Sequence, residues 1–248
     1  MIPAPAAPPP DDPHGLAARV LHRDASVLVI DKPAGVPVHA GPQSAVRGAP
    51  PLDRGFDALR FGLPRRPELA HRLDRDTSGC LALGRHRRAL DRLRVIFQTG
   101  AAEKTYLAIV EGGPAEDEGA IDLPLARRDP QRGWWMKVAP DGLPSLTRFR
   151  VLGRDAASGR AALALTPVTG RTHQLRVHCS ASGWPILGDA VYGRAARFGG
   201  DPLHLHAARL VLPFDLKRPP LRADAPVPPH MTDALAACGV SGLPPAEC

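Results

Sequence analysis

The sequence predicts a single α+β domain, and three observations carry that prediction. Short apolar or alternating runs of strand length recur along the chain, at Val27–Ile30, Lys104–Val110, Thr147–Leu152 and Ala161–Leu165. One stretch, 86–98, instead places its apolar residues at helical spacing. The chain has 248 residues and is 44% hydrophobic, long enough to bury a substantial core. Aromatic residues make up only 4%, so aliphatic side chains must fill that core.

Taken in order, residues 1–15 are Pro-rich with little to bury and are expected to form a disordered tail. Residues 16–230 form the expected folded domain, and 231–248 a C-terminal tail without signal. Val27–Ile30, bounded by Asp24–Ser26 and Asp31–Pro33, reads as a buried strand leading into the turn Asp31-Lys32-Pro33-Ala34-Gly35. Residues 40–67 are a long Gly-, Pro- and Arg-rich loop, with a short helical candidate at Phe56–Phe61. In 86–98 the residues Ala89, Leu90, Leu93, Ile96 and Phe97 define one face of an amphipathic helix stopped by Gly100. Lys104–Val110 alternates, with Tyr106, Ala108 and Val110 on one face. Residues 119–152 read as two or three antiparallel strands and contain the basic stretch 127–137 with Trp134 and Trp135. That pair is either a nucleic-acid stacking surface or a hairpin anchor. A turn at 154–160 returns the chain through Ala161–Leu165. A helix is expected to start near Thr172, which would put Arg171 at an anion-favouring helix N-terminus.

The net charge of +7, dominated by arginine, points to an anionic partner, with nucleic acid the leading candidate. The four cysteines, at 80, 179, 238 and 248, form no C-x-x-C pair and no zinc spacing, which fits reduced thiols in a cytosolic protein. No signal peptide and no apolar run of membrane-spanning length is visible. His173 and His178 invite a metal reading, but no third ligand of suitable type stands nearby.

The densest stretch is His71-Arg72-Leu73-Asp74-Arg75-Asp76-Thr77-Ser78-Gly79, two carboxylates among basic side chains, followed by the apolar run Cys80–Leu83. On residue types alone it reads as a solvated turn before a strand. As a whole it resembles HRLDxxTSG, the signature of the RluA-type RNA pseudouridine synthases. The Lys-Pro-x-Gly turn at 32–35, the Lys-x-Tyr strand at 104–106, the TGRxHQ(L/I)RxH stretch at 169–178 and the segments 183–193 and 203–210 resemble that family's other motifs, in its order. The resemblance runs from roughly residue 20 to 228.

The resemblance implies a mixed, mostly antiparallel curved sheet flanked by helices and loops, with an RNA cleft across it. It also implies isomerisation of specific uridines in tRNA or rRNA stem-loops. Asp74, not Asp76, becomes the expected catalytic carboxylate, Arg171 its ionic partner, and Tyr106 the residue against the target base. Arg72 is expected where the base leaves the RNA stack, and Leu175 beside the base. Arg176, His173 and Lys104 are expected at the RNA, and Lys32 as structural support. No cofactor and no metal is implied, because the reaction needs no redox step and no outside group. The expected protein is a cytoplasmic monomer of the short form, without an N-terminal RNA-binding module. Two other readings compete. A nucleoside or glycoside hydrolase would pair Asp74 with Asp76 and release free base or sugar. A non-catalytic RNA-binding or RNA-folding module would tolerate loss of Asp74, Tyr106 or Arg171, all of which are present.

Overall fold

The computed structural model describes residues 12–40, 50–129, 135–196 and 199–242. A 3-10 helix, Leu16–Arg19, leads into the hairpin of β1 (Val20–Arg23) and β2 (Val27–Lys32). A second 3-10 helix, Leu52–Leu59, precedes β3 (Glu68–Leu69) and β4 (Ser78–Gly84). Helix α1 (Arg87–Gln98) and the long strand β5 (Glu103–Glu111) follow. Then come β6 (Glu118–Asp122), the small pair β7 (Leu125–Arg127) and β8 (Met136–Val138), and the hairpin of β9 (Leu146–Asp155) and β10 (Arg160–Pro167). Helix α2 (Gln174–Ala181), β11 (Leu205–Leu212), β12 (Leu221–Asp224) and α3 (Pro229–Ala237) complete the order.

One sheet runs β1-β2-β4-β11-β5-β10-β9-β6, with β12 beside β11 and β3 beside β4. Every pairing is antiparallel except β11 with β4, which meet only at His206–Ser78 and Ala207–Gly79. The two strands then diverge. β3 pairs with the end of β4, and β12 with the end of β11. Gly79 makes this junction possible. Its φ is +106°, and a Cβ there would collide with the Ala207 carbonyl.

The apolar runs read from the sequence are continuous because β2 and β4 are buried on both faces. Leu28, Ile30, Leu81 and Leu83 pack under the two 3-10 helices, against Leu16, Leu52, Phe56 and Leu59. Val27, Val29, Cys80 and Ala82 face the other way, onto Leu93 and Ile96 of α1. On β5 the same alternation sends Ala108 and Val110 toward α2 and Trp184, and Leu107 and Ile109 toward α3. Tyr106 packs against the first cluster and also against the α2 cluster, so it sits where the two halves of the sheet meet.

Several expectations need correction. The expected tail from 231 begins inside α3, whose Met231 and Leu235, with Cys238 after it, are buried against β5 and Ala208. Three apolar residues at helical spacing suffice for a buried face, though they are too few to stand out in sequence. Of the expected N-terminal tail, 1–11 lies outside the described residues, whereas Asp12 is buried and its carboxylate accepts from the N–H groups of Leu16 and Ala17. The helical candidate at Phe56–Phe61 is the 3-10 helix Leu52–Leu59, and Phe61 lies past its end at φ +46°. Helix α2 begins at Gln174 with His173 as its N-cap, so Arg171 lies before the helix N-terminus rather than at it. Trp134 and residues 41–49 of the long loop lie outside the described residues.

Candidate active site

The loop at 71–79 is held from both ends. β3 is short because the His71 ring takes over its ladder. The Ala70 N–H donates to the Ala82 carbonyl, but the Ala82 N–H donates to His71 Nε2 at 2.9 Å. The His71 ring stacks on Phe97 of α1 with centroids 4.1 Å apart. Burial, and next the charge of Lys104, push His71 down to about 3, as suits a ring that accepts a backbone N–H. At the far end Ser78 Oγ meets His206 Nδ1 at 2.8 Å, fastening the loop to β11. Between these anchors the Thr77 N–H reaches the Asp74 carbonyl, closing a tight turn with Asp74 at its first corner.

Lys32 supports this turn from below. It is fully buried, and its Nζ donates to the carbonyls of Pro33, Val36 and Arg75 at 2.8, 2.8 and 2.9 Å. Three acceptors match the three N–H bonds of an ammonium. Burial pushes the amine down to about 7, against the pull of Asp76, Asp74 and Asp31. The turn at 32–36 and the backbone beside Asp74 are thereby one unit. Arg75 adds a second tie, donating to the Gly35 carbonyl at 3.1 Å.

Opposite the loop, Gln174 holds the turn at 169–173. Its Oε1 accepts from Thr169 Oγ1 at 2.7 Å and from the Arg171 N–H at 3.0 Å. Its Nε2 donates to the Leu146 carbonyl at 2.9 Å and Thr147 Oγ1 at 3.0 Å. The side chain is 3% exposed with oxygen and nitrogen both satisfied.

Between these two walls lies a cleft of about 530 Å³. Its floor is Tyr106, Leu175 and Leu205, and its rim carries Arg72, Arg94, Lys104 and Arg171. Asp74 is the single carboxylate among the described lining residues, and its side chain is 16% exposed. Asp76 points away, 51% exposed and 3.8 Å from Arg75. This separation argues against the hydrolase reading, because general-acid and general-base or nucleophile roles need two carboxylates facing one bond. Burial, then the Asp74 charge, push the Tyr106 hydroxyl above its ordinary range. Burial alone lowers Lys104.

The expected site residues do not all stand where the resemblance put them. Asp74, Tyr106, Arg72, Lys104, Leu175, Arg171, His173 and Arg176 all line the cleft. Arg171 makes no ion pair with Asp74. Its Nε donates to the Pro144 carbonyl at 3.3 Å, because the chain before α2 points it along the wall. His173 stands beside the carboxylate instead, with Nε2 3.7 Å from Asp74 Oδ1. Arg176, expected at the RNA, is 4% exposed and grips Asp189 with Nε and Nη2 at 2.7 and 2.8 Å. A guanidinium closed in a bidentate pair serves the fold first. His178, the second histidine of the metal reading, is buried between Thr147 Oγ1 and the Leu123 carbonyl. Among the described residues no group of three His, Cys, Asp or Glu side chains could hold a metal ion. Nor is any described helix long and apolar enough to cross a membrane.

Gln174, Arg94 and Tyr192 were not singled out from sequence. Gln174 lies inside the 169–178 motif, which is the signal that could have found it. Arg94 reads as one more charge on a solvated helix face.

Comparison with known proteins agrees with this geometry. A family model described as RNA pseudouridylate synthase matches residues 26–181. A Zymomonas mobilis protein described as an uncharacterized RNA pseudouridine synthase is 43% identical over 221 residues, covering 88% of this chain and 97% of that protein. The ribosomal large subunit pseudouridine synthase C of Vibrio cholerae is 36% identical, over 87% of this chain and 68% of its own. Among solved structures, human RNA pseudouridylate synthase domain containing 4 superposes with a TM-score of 0.73 at 27% identity, covering 90% of this chain and 94% of that one. A basic cleft with one carboxylate in an HRLDxxTSG loop, on a sheet shared with these enzymes, places the chain in the RluA-type family of RNA pseudouridine synthases, enzymes that isomerise uridine in RNA.

Proposed function

We propose that this chain converts uridines of large-subunit ribosomal RNA to pseudouridine, with Asp74 as the catalytic carboxylate. The observation that carries the assignment is that Asp74 is the one carboxylate among the described residues lining a cleft rimmed by Arg72, Arg94, Lys104 and Arg171. Relatives named for the ribosomal large subunit support ribosomal over transfer RNA. A cytoplasmic location, where ribosomes are abundant, goes with that substrate.

The reaction breaks the N1–C1′ bond, turns the base, forms C5–C1′, and exchanges the proton lost from C5 for one gained at N1, so atoms balance without a cofactor. A cleft of this volume takes one nucleoside and no duplex, so the target base must leave its stack. Arg72, exposed at the rim, takes the place the base vacates. Arg94, Lys104 and Arg171 neutralise phosphates. Tyr106 stacks on the extruded uracil. Its raised pKa keeps the hydroxyl protonated, which suits a stacking platform and a hydrogen-bond donor better than a base for the C5 proton. Leu175 and Leu205 exclude water beneath the ring.

The test is pseudouridine mapping by chemical labelling and reverse-transcription stops in RNA from cells with and without the gene. A ribosomal mark should vanish and return with the wild-type chain but not with Asp74→Asn. Full restoration by Asp74→Asn removes Asp74 from the mechanism. A lost mark in transfer RNA alone redirects the substrate assignment.

A further inference from the structure

His173 has a backbone its residue type rarely adopts, with φ +52° and ψ +20° in the left-handed region. Such a conformation persists only when its surroundings over-determine it. Gln174, next in sequence, is locked by its four hydrogen bonds. The His173 ring is locked from the other side. Its Nδ1 lies 2.8 Å from Tyr192 Oη, and the two rings meet edge to face. Tyr192 Oη also accepts from the Met136 N–H at 2.9 Å. The phenol keeps its own hydrogen to donate to Nδ1. Tyr192 sits on the turn that the buried Arg176–Asp189 pair closes, and Asp189 Oδ1 accepts from the Tyr192 N–H at 2.9 Å.

The carboxylate facing the ring favours one tautomer. An imidazole that accepts at Nδ1 carries its hydrogen on Nε2. That atom faces Asp74 Oδ1 at 3.7 Å. The opposite tautomer would set a lone pair against the carboxylate. Among the described residues, the charged groups acting on the ring include Asp74, Arg176, Asp189 and Arg72. Burial lowers the His173 pKa and Asp74 only partly restores it, so the neutral ring is the form present near pH 7.

We infer that His173 positions the Asp74 carboxylate, its Nε2–H aimed by Tyr192, and that it is not an RNA contact. The inference rests on the reading of Asp74 as the catalytic group. The separation is longer than a hydrogen bond, as free-enzyme catalytic contacts often are, and closes with a shift of less than an ångström when RNA fills the cleft. One carboxylate oxygen is then held by His173 and the other is left to face the nucleoside. His173 thus gives the carboxylate a neutral donor, distinct from the Arg176 guanidinium, whose charge also acts on Asp74.

The experiment uses the full chain under single-turnover conditions, with total RNA from cells lacking the gene as substrate. His173→Asn is the informative truncation, because asparagine tolerates the left-handed backbone and can still meet Tyr192 but has no atom at the Nε2 position. His173→Gln returns an amide N–H to that place. His173→Asn should lower the maximal rate about 100-fold, the scale of a 1 Å misplacement, with the half-saturating enzyme concentration unchanged within about twofold. His173→Gln should recover about tenfold of that loss. Tyr192→Phe, which removes one oxygen, should lower the rate and add nothing further in the His173→Asn background. An increase in half-saturation at unchanged maximal rate would make His173 an RNA contact and overturn the proposal. So would a Gln variant no faster than Asn, or additive effects of the Tyr192 and His173 changes. Should the His173 variants fail to fold, Tyr192→Phe with wild-type rate overturns it alone. Activity retained in Asp74→Asn would instead refute the underlying assignment of Asp74.

Discussion

Arg176→Met asks whether the buried pair behind the active site is structural. Arg176 and Asp189 are 5% and 1% exposed and share two hydrogen bonds of 2.7 and 2.8 Å. Asp189 also accepts from the N–H groups of Val191 and Tyr192 at 2.8 and 2.9 Å. Without the guanidinium, the carboxylate stays buried with the backbone donors alone. Removing one member of such a pair costs about 3–5 kcal/mol, a large share of a domain's stability. Asp189→Leu strands a buried cation and two N–H groups and should cost at least as much. The double variant Arg176→Met/Asp189→Leu should lose less than the sum, with a coupling of about 3 kcal/mol. Burial raises the Asp189 pKa, but Arg176 and the two backbone N–H groups outweigh it and the folded value is lowered. A depressed folded pKa means stability present above the unfolded value, near 3.9, and lost as pH falls through the folded one. Wild type should therefore lose more stability below about pH 4 than the double variant does. Urea unfolding at pH 7 and across pH 3–5 measures both quantities. A loss under about 1 kcal/mol for Arg176→Met, or additivity within about 0.5 kcal/mol, would refute the reasoning.

Three further outcomes are expected. Lys32→Met strips three buried carbonyls of their donor, at about 1–3 kcal/mol each before the relief of unburying a cation, for a net loss of about 2–4 kcal/mol. Because the Arg75 carbonyl is one of the three, turnover should fall while RNA affinity holds, and unchanged unfolding and turnover would exclude the strut. His206 is pushed down to about 4 by burial, so the unfolded chain binds an extra proton between about pH 6.5 and 4 and stability falls as pH drops through that window. The loss should be about 3 kcal/mol, and His206→Gln should flatten that part of a pH series of unfolding curves. Arg94→Ala and Lys104→Ala should each weaken RNA binding and reduce the slope of log affinity against log salt by about one, with an unchanged slope removing that residue from the phosphate track.

The strand and helix elements were legible wherever burial wrote a local pattern. Val27–Ile30 and Cys80–Leu83 are continuous apolar runs because both faces are covered, and α1 spans 87–98 as its apolar spacing predicts. Helix α3 was missed because its buried face is small, and the start of α2 was misplaced because His173 takes a left-handed turn that only tertiary bonds hold. The motif stretches named the chemistry. They did not say what each basic residue would grip. Arg171 and Arg176 look alike in sequence, yet one lies along a cleft wall and the other is closed on Asp189.

By itself, then, the sequence determined the alternation of strands, the basic character, and the loops that carry Asp74, Tyr106 and the 169–178 turn. Those properties depend on side-chain type and near neighbours. The tertiary structure alone decided that Asp74 faces the cleft while Asp76 faces water, that Lys32 holds the Arg75 carbonyl, and that His173 stands between Tyr192 and the Asp74 carboxylate. Each of these depends on a partner distant along the chain. A charge or donor finds such a partner only when the sheet closes, and burial then makes an unmatched polar group too costly to leave.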